Sequence, residues 1–439
     1  MNRIKKTGIV HTLTLFCLAA QLAVVLPDNV RADELGNPDD LKESSNLQDL
    51  IEYAMANNPG LQASESRWKS SKEAISAARA LPDPRMTYGH YLEPVETRVG
   101  PQERNFGLSL TIPWFQKLMI RGEVAGLTAH VEEKKYDMDC QKLIYSVTEA
   151  YYELHYLDES IAITEENLNW IRQFESIART RYATGQESQV STLAIQLELE
   201  KLKDRVVSLK DDRRYAASHL NTLLGRPVDA ELPGYETPSS TILQMSIDQL
   251  LARIQKENPS LQALQLKAQR EEASSRLLGK SHYPDVTIGI NVIMTEDALD
   301  RSLTDSGKDP VILTVSLNLP IWFGQYNSAK ESAKLRRQEA LYEFADLENR
   351  LSAELEEALG DVKDAERRID LYQYRLIPMA KQSQDVTLNA FSAGEAAFLE
   401  VIEAQRTILD MNLALERAQT DKGLSLARVE WLMGNERRS

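Results

Sequence analysis

The chain is poor in several things at once. It has two cysteines in 439 residues, Cys17 and Cys140. Cys17 lies in a leader read below as removed, so one thiol remains and no internal disulfide can form. Aromatic residues are 7 % while charged residues reach 27 %. That balance leans toward long helices, not toward the two or three compact domains the length alone suggests. No proline occurs between Pro113 and Pro227, and glycine appears there only at 122, 126, 185 and 225. Beyond the leader no apolar run is long enough for a membrane-spanning helix. The formal charge is −15 and no basic stripe is present, which excludes a nucleic-acid partner. His90, His130, His155, His219 and His282 are scattered with no pair at ligand spacing. No glycine-rich phosphate loop and no catalytic set is present either. The sequence therefore points to no enzyme, no cofactor and no metal site.

What is present begins with the leader. Arg3, Lys5 and Lys6 precede an apolar run, and Val30-Arg31-Ala32 offers small residues for cleavage before Asp33. Residues 1–32 read as a signal peptide and not as an anchor helix, because the run is short and broken by His11 and Gln21. Phe16 precedes Cys17 where a lipoprotein signal needs a small residue, so no lipid anchor is expected. Residues 33–45 read as a flexible polar lead.

A second feature is internal repetition. Leu50–Ala63 reads LIEYAMANNPGLQA and Leu250–Ala263 reads LLARIQKENPSLQA, with six of fourteen positions identical. Further landmarks follow in the same order. Pro82-Asp83 pairs with Pro284-Asp285, Pro113 with Pro320, Gly185 with Gly394, and Gly225 with Gly434. The offset grows from 200 to 209, mostly across a longer polar segment at 295–309. This pattern is a tandem duplication of two large units, 46–234 and 245–434. Each unit holds a short helix ended at Asn-Pro, a second helix, two strands and a long helical hairpin. Strands are expected at about 85–93, 104–113, 285–295 and 310–319. Long helices are expected at about 120–183, 187–224, 326–391 and 395–433. The first would span roughly 96 Å at 1.5 Å per residue. In the return helix Val190, Leu193, Leu197, Leu199, Leu202 and Val206 suggest coiled-coil packing.

The strands decide what such helices belong to. Phe106–Ile112, Val286–Met294 and Val311–Leu319 alternate apolar with small or polar residues, so one face is greasy and the other wet. Their length suits a tilted transmembrane strand. Trp114, Phe115, Trp322 and Phe323 follow them, where an interfacial aromatic belt would sit. The alternative is a pair of soluble hairpins packed on the helices. Four strands cannot close a membrane barrel, since the smallest have about eight, and open edges are not tolerated in lipid. The chain must therefore share a barrel with copies of itself. Two chains would give a side-chain-filled interior, and three would leave an aqueous lumen.

On the doubled Asn-Pro-x-Leu, the Leu-Pro-Asp-Pro at 81–84, the strand exits at Pro113 and Pro320, the aromatic-x-x-Gly tips and the closing Leu-Leu-Gly and Leu-Met-Gly, the sequence resembles the TolC family of outer membrane efflux proteins. The likeness covers about 46–434. Leu-Pro-Asp-Pro and Leu-Pro-Ile-Trp-Phe are most similar to its heavy-metal, CzcC-like branch. The resemblance implies a mainly α fold with a small β part. It implies a homotrimer whose twelve-stranded barrel in outer membrane lipid continues into a periplasmic α-barrel of coiled-coil hairpins. It also implies a passive duct for small molecules or metal cations, docked to a periplasmic adaptor and to an inner membrane pump of resistance-nodulation-division or ABC type. Type I protein secretion, or a soluble periplasmic coiled-coil adaptor, are the alternative functions.

Two places carry that function. The tips, with Tyr182, Gly185, Phe391 and Gly394, would meet the adaptor. Glu400 and Glu403 lie just past the second tip on one helix face, where the resemblance implies acidic rings at a pore constriction. Ser191 and Ala194 occupy the matching places in the first unit. The tyrosine and arginine that close the iris in some family members are replaced, the nearest matches being Phe391 and Ala396.

Overall fold

The computed structural model describes residues 44–232, 234–235, 245–300 and 304–434. The signal peptide read over 1–32 with Cys17, and the polar lead up to residue 43, lie outside the described residues.

The elements run in the same order twice. The first series is β1 (Ser44–Ser45), α1 (Leu47–Asn57), α2 (Pro59–Arg79), β2 (Arg85–Val95), β3 (Gln102–Ile112), α3 (Phe115–Ala183) and α4 (Gln189–Leu224). The second is β4 (Gly234–Tyr235), α5 (Ile247–Glu257), α6 (Pro259–Gly279), β5 (Val286–Thr295), β6 (Val311–Leu317), α7 (Phe323–Leu371), α8 (Ile377–Ala393) and α9 (Phe398–Met433). Ser44 and Ser45, read as the end of a flexible lead, instead pair in parallel with Gly234 and Tyr235. At 69 residues, α3 extends about 104 Å. It starts five residues earlier than expected because nothing after Pro113 and Trp114 interrupts the helix.

The repeated Asn-Pro has a specific job. Capping boxes at Asn46 and Ser246 start α1 and α5. Each helix ends at an asparagine that then caps the next. Asn58 Oδ1 accepts from Leu61 N at 2.9 Å while its Nδ2 donates to Leu223 O at 2.9 Å. Asn258 Oδ1 accepts from Ser260 N at 2.9 Å and Leu261 N at 3.3 Å, and Nδ2 donates to Leu432 O at 3.0 Å. Proline follows at the first helical position, where its missing N–H costs nothing. The asparagine thus joins three helix ends, satisfying an orphan N–H and an orphan carbonyl together. At Gly434 a Cβ would stand 2.8 Å from Glu257 O and from Asn258 Cα, so the joint closes only on glycine. Its φ is also positive, at 74°. Around each joint lies a small apolar core, Leu50, Leu154, Leu220 and Leu224 in one and Leu250, Leu355, Val429 and Leu432 in the other.

One expected helix is divided. The sequence predicts one continuous helix over 326–391, but Tyr372–Leu376 form a π-turn between α7 and α8. Pro378 explains it. Its ring lacks an N–H and would clash with the carbonyl one turn back, and a widened turn relieves both. The first hairpin has no proline and no such turn.

Four strands form one antiparallel sheet in the order β2-β3-β5-β6. β2 and β6 are its free edges among the described residues.

Candidate functional site

The sheet separates its residues by face. Cross-strand rows Met86–Leu108–Ile290–Leu313 and Tyr88–Phe106–Val292–Val311 lie on one face, with Leu110–Ile288–Val315 and Ile112–Val286–Leu317 beside them. This face is apolar and open: Leu313 is 69 % exposed, Val315 64 % and Leu108 57 %. The opposite face carries Thr87, Asn105, Ser109, Thr111, Thr287, Asn291, Thr314 and Ser316, interleaved with Gly89, Gly107 and Gly289, and interrupted by two isoleucines, Ile293 and Ile312. Each glycine faces a polar residue of the next strand: Asn105, Asn291 and Thr314 lean across Gly89, Gly107 and Gly289. Removing those side chains lets the sheet bend toward this face, because a Cβ would meet the neighbour's amide or hydroxyl. Thr111 and Thr287 share a 2.9 Å hydrogen bond between hydroxyls.

The strands pass into helices through a tied junction. Trp114 N donates to Asp285 Oδ1 at 3.1 Å, and the buried Lys117 Nζ donates to Asp285 Oδ1 at 2.8 Å and to Tyr283 O at 2.7 Å. Asp285 N donates to Asn318 Oδ1. The Pro-Asp of the second unit therefore fastens the start of α3 to β5 and to the end of β6. Trp114 stacks on Tyr283 with ring centres 5.2 Å apart. Phe323 lies 5.7 Å from His282. Phe115, Trp322 and Phe323 are exposed.

At the other end, both tips close by the same hydrogen bonds. Gly185 N donates to Tyr182 O and Gln186 N to Arg181 O, at 3.0 and 2.8 Å. Gly394 N donates to Phe391 O and Glu395 N to Ala390 O, at 3.1 and 2.9 Å. Gly185 and Gly394 have φ of 72° and 80°, the left-handed turn that this helix ending requires. The side chains differ. Tyr182 is exposed, but Phe391 is only 5 % exposed. Phe391 lies edge-on to Phe398 at 5.4 Å, and the Arg181 guanidinium sits 4.2 Å from its ring centre. Phe398 in turn meets Phe174, which stacks on Trp170 at 4.0 Å. This aromatic cluster packs the first tip against the second. Phe391 therefore offers no surface for docking, unlike Tyr182.

The return helix also corrects the sequence reading. Val190, Leu193 and Leu197 are exposed, and the buried stripe is Ser191, Ile195, Glu198, Leu202 and Val206. The expected seam mixed two neighbouring faces of α4. Only one packs within the chain.

Glu400 and Glu403 are both exposed, on the first turns of α9. They are not equivalent. Arg406 Nη1 donates to Glu403 Oε1 at 2.7 Å, and Arg406 Nη2 to Glu198 Oε2 of α4 at 2.6 Å. Hydrogen bonding to Glu198 holds the Arg406 guanidinium above its usual value, against the burial that works the other way. Glu403 thus belongs to a cross-hairpin ion-pair network, while Glu400 has no cationic partner among the described residues. Arg205 and Asp410 add a looser pair at 3.8 Å. The Glu198–Arg406 pair had no signal in the sequence, since its partners lie 208 positions apart on different hairpins.

Among the described residues no group of His, Cys, Asp and Glu is placed to hold a metal ion. No described helix is long and apolar enough to cross a membrane.

Comparison with known proteins agrees with this architecture. The family profile described as outer membrane efflux protein matches residues 50–226 and again 250–435. The outer membrane protein TolC of Vibrio cholerae is 22 % identical over 416 residues, 89 % of this chain and 91 % of its own. The cobalt-zinc-cadmium resistance protein CzcC of Cupriavidus metallidurans is 21 % identical, covering 84 % of each. The crystal structure of the outer membrane protein VceC from Vibrio cholerae superposes with a TM-score of 0.72 at 20 % identity, over 89 % of this chain and 96 % of that one.

Proposed function

Because the chain belongs to the outer membrane efflux protein family, its place is the outer membrane with helices extending into the periplasm, and we propose that three copies assemble into one passive, non-enzymatic exit duct. One observation carries the self-association. The sheet has an apolar face, a wet face and two unpaired edges. Lipid tolerates no unpaired edge, so β2 of one protomer must pair with β6 of the next. Three copies give twelve strands, wide enough for water beyond the side chains. Two exposed stripes support self-association along the helices: Val190, Leu193 and Leu197 on α4, and Leu335 and Tyr342 on α7. Trp114, Phe115, Trp322 and Phe323 then lie at the membrane boundary.

In this reading the tips meet a periplasmic adaptor through Tyr182 and the turns at Gly185 and Gly394, with Phe391 supporting them from beneath. Glu400 and Glu403 surround the narrow entrance in threefold rings that favour cations. An inner membrane pump supplies the energy and selects the cargo, small molecules or metal cations.

The test uses the chain's shortage of thiols. With Cys140→Ser as background, cysteines are introduced pairwise on β2 (Met86→Cys or Tyr88→Cys) and β6 (Leu313→Cys or Val315→Cys). Oxidation in membranes should give a ladder that stops at a covalent trimer. A ladder stopping at two chains, or no cross-link for any pair, would overturn the proposal. Purified trimer should also conduct ions across planar bilayers.

A further inference from the structure

Below the sheet, the start of α3, the end of α6 and the start of α7 enclose an open cavity of about 800 Å³. Three cations line it, Arg276, Lys280 and Lys330, against one carboxylate, Glu123. Arg276 is already paired with Glu123. Lys280 and Lys330 form no ion pair with any described residue. Two lysines therefore line one cavity with no carboxylate paired to either, an arrangement that a shared anion would stabilise.

Position supplies the rest. A Cβ on Gly279 would stand 3.9 Å from Lys330 Cε, so the Lys330 stem lies across the last turn of α6, one residue from Lys280. The Lys280 ammonium is 5.3 Å from the Tyr283 ring centre, and Tyr283 stacks on Trp114. Trp114 follows Ile112, the last apolar-face residue of β3. Tyr283 and Trp114 thus lead from Lys280 to the strand end, two residues from Ile112. The cavity wall includes Met119, 65 % exposed, and Ile120. Cations, then aromatic rings, then an aliphatic face is the order met along a phospholipid from phosphate through glycerol to acyl chain.

We propose that this cavity is a binding site for the phosphate headgroup of an anionic phospholipid, whose acyl chains lie along the apolar face of β3 and β5. The inference rests on the sheet being membrane-embedded. Lys280 and Lys330 contact the phosphate beside Met119 and Ile120, and Tyr283 and Trp114 flank the glycerol. A free phosphate ion offers the same charge without the chains, and the experiment separates the two.

Full-length protein purified in a neutral detergent is titrated with dioleoyl phosphatidylglycerol, dioleoyl phosphatidylcholine or inorganic phosphate, and bound lipid is counted by native mass spectrometry. The expected result is up to three phosphatidylglycerol molecules per trimer, held in preference to phosphatidylcholine and not displaced by equimolar phosphate. Lys280→Gln with Lys330→Gln should weaken phosphatidylglycerol binding about 25-fold, two cations at roughly fivefold each. Lys280→Arg with Lys330→Arg should restore it. Should the glutamine pair fail to assemble, the wild-type preference must still fall steeply with added salt. Equal retention by wild type and the glutamine pair, complete displacement by phosphate, or changed ion selectivity of the duct with lipid binding intact would each overturn the site. Failure of the membrane reading looks different. The protein would then ignore both lipids and stay out of membranes, whereas failure of this inference alone leaves insertion normal and the two lipids indistinguishable.

Discussion

Replacing Asn258 tests how the two short helices are held to the long ones. The side chain is 5 % exposed. Its oxygen caps α6 and its amide donates to Leu432 O at the end of α9. Asn258→Ala removes both. Losing an N-cap costs about 1 kcal/mol, and a buried carbonyl left unpaired costs roughly 1–3 kcal/mol, so about 2–4 kcal/mol is expected. Asn258→Ser keeps a capping oxygen and removes only the bridge, for roughly 1–3 kcal/mol, about 1 kcal/mol less than alanine. Asn58→Ala should cost somewhat less than its counterpart, since water reaches that joint. The two joints share no hydrogen-bond partner, so the double alanine variant should be additive within about 0.5 kcal/mol. Urea denaturation of the detergent-solubilised protein, followed by far-ultraviolet circular dichroism, gives the order directly. The reasoning fails if alanine at 258 costs less than about 0.5 kcal/mol, or if serine costs as much as alanine.

Three further outcomes are expected. Leu313→Lys should impair membrane assembly, since a lysine facing hydrocarbon costs about 2–4 kcal/mol, while Thr314→Lys on the wet face should insert normally; equal yields in the membrane fraction would contradict the assigned faces. In planar bilayers Glu400→Gln should lower cation selectivity more than Glu403→Gln, because Arg406 already offsets Glu403, and Arg406→Gln should raise it. Matching reversal potentials for the two glutamate variants would remove that argument. Burial works to raise the Glu271 carboxyl, but hydrogen bonds and charge from Arg336 and Arg270 outweigh it and hold it below the usual range. A lowered folded value means the stabilisation is present above the unfolded carboxyl value and is lost as pH falls through the lower folded one. Glu271→Gln should therefore be less stable than wild type at neutral pH by roughly 1–2 kcal/mol, with the gap narrowing in acid. A pH-independent gap in urea midpoints would show that charge plays no part.

The sequence made some features plain for physical reasons. Period-two alternation at Phe106–Ile112 and Val286–Met294 is forced by one face meeting an apolar medium, so the strands could be found to within a few residues. Long helices were visible because nothing between Pro113 and Pro227 except glycine can break one, and the turn glycines then marked the tips. Other features depend on where distant residues meet. Arg181 over Phe391 and Arg406 on Glu198 join different hairpins, and local pattern carries no trace of them. The acidic face at 400 and 403 was legible as charge but not as one free and one paired carboxylate. In α4, apolar residues occupy two adjoining faces, so periodicity alone could not say which the chain buries itself. Pro378 lies inside the span 326–391 expected as one helix. Its consequence, a widened turn instead of an ended helix, is set by the packing on both sides that keeps the axis going.

The asparagine joints have a consequence for how the helical hairpins can vary in length. Each fixes its long hairpin at one level through Leu223 or Leu432, and beyond that level towards the tips the arms touch only one another and the neighbouring hairpin. Deleting seven residues from every arm in step would return each side chain to within about 20° of its azimuth, about 10 Å nearer the base. Reach across the periplasm is therefore adjustable in heptad increments, leaving the sheet, the joints and the turn glycines as they are.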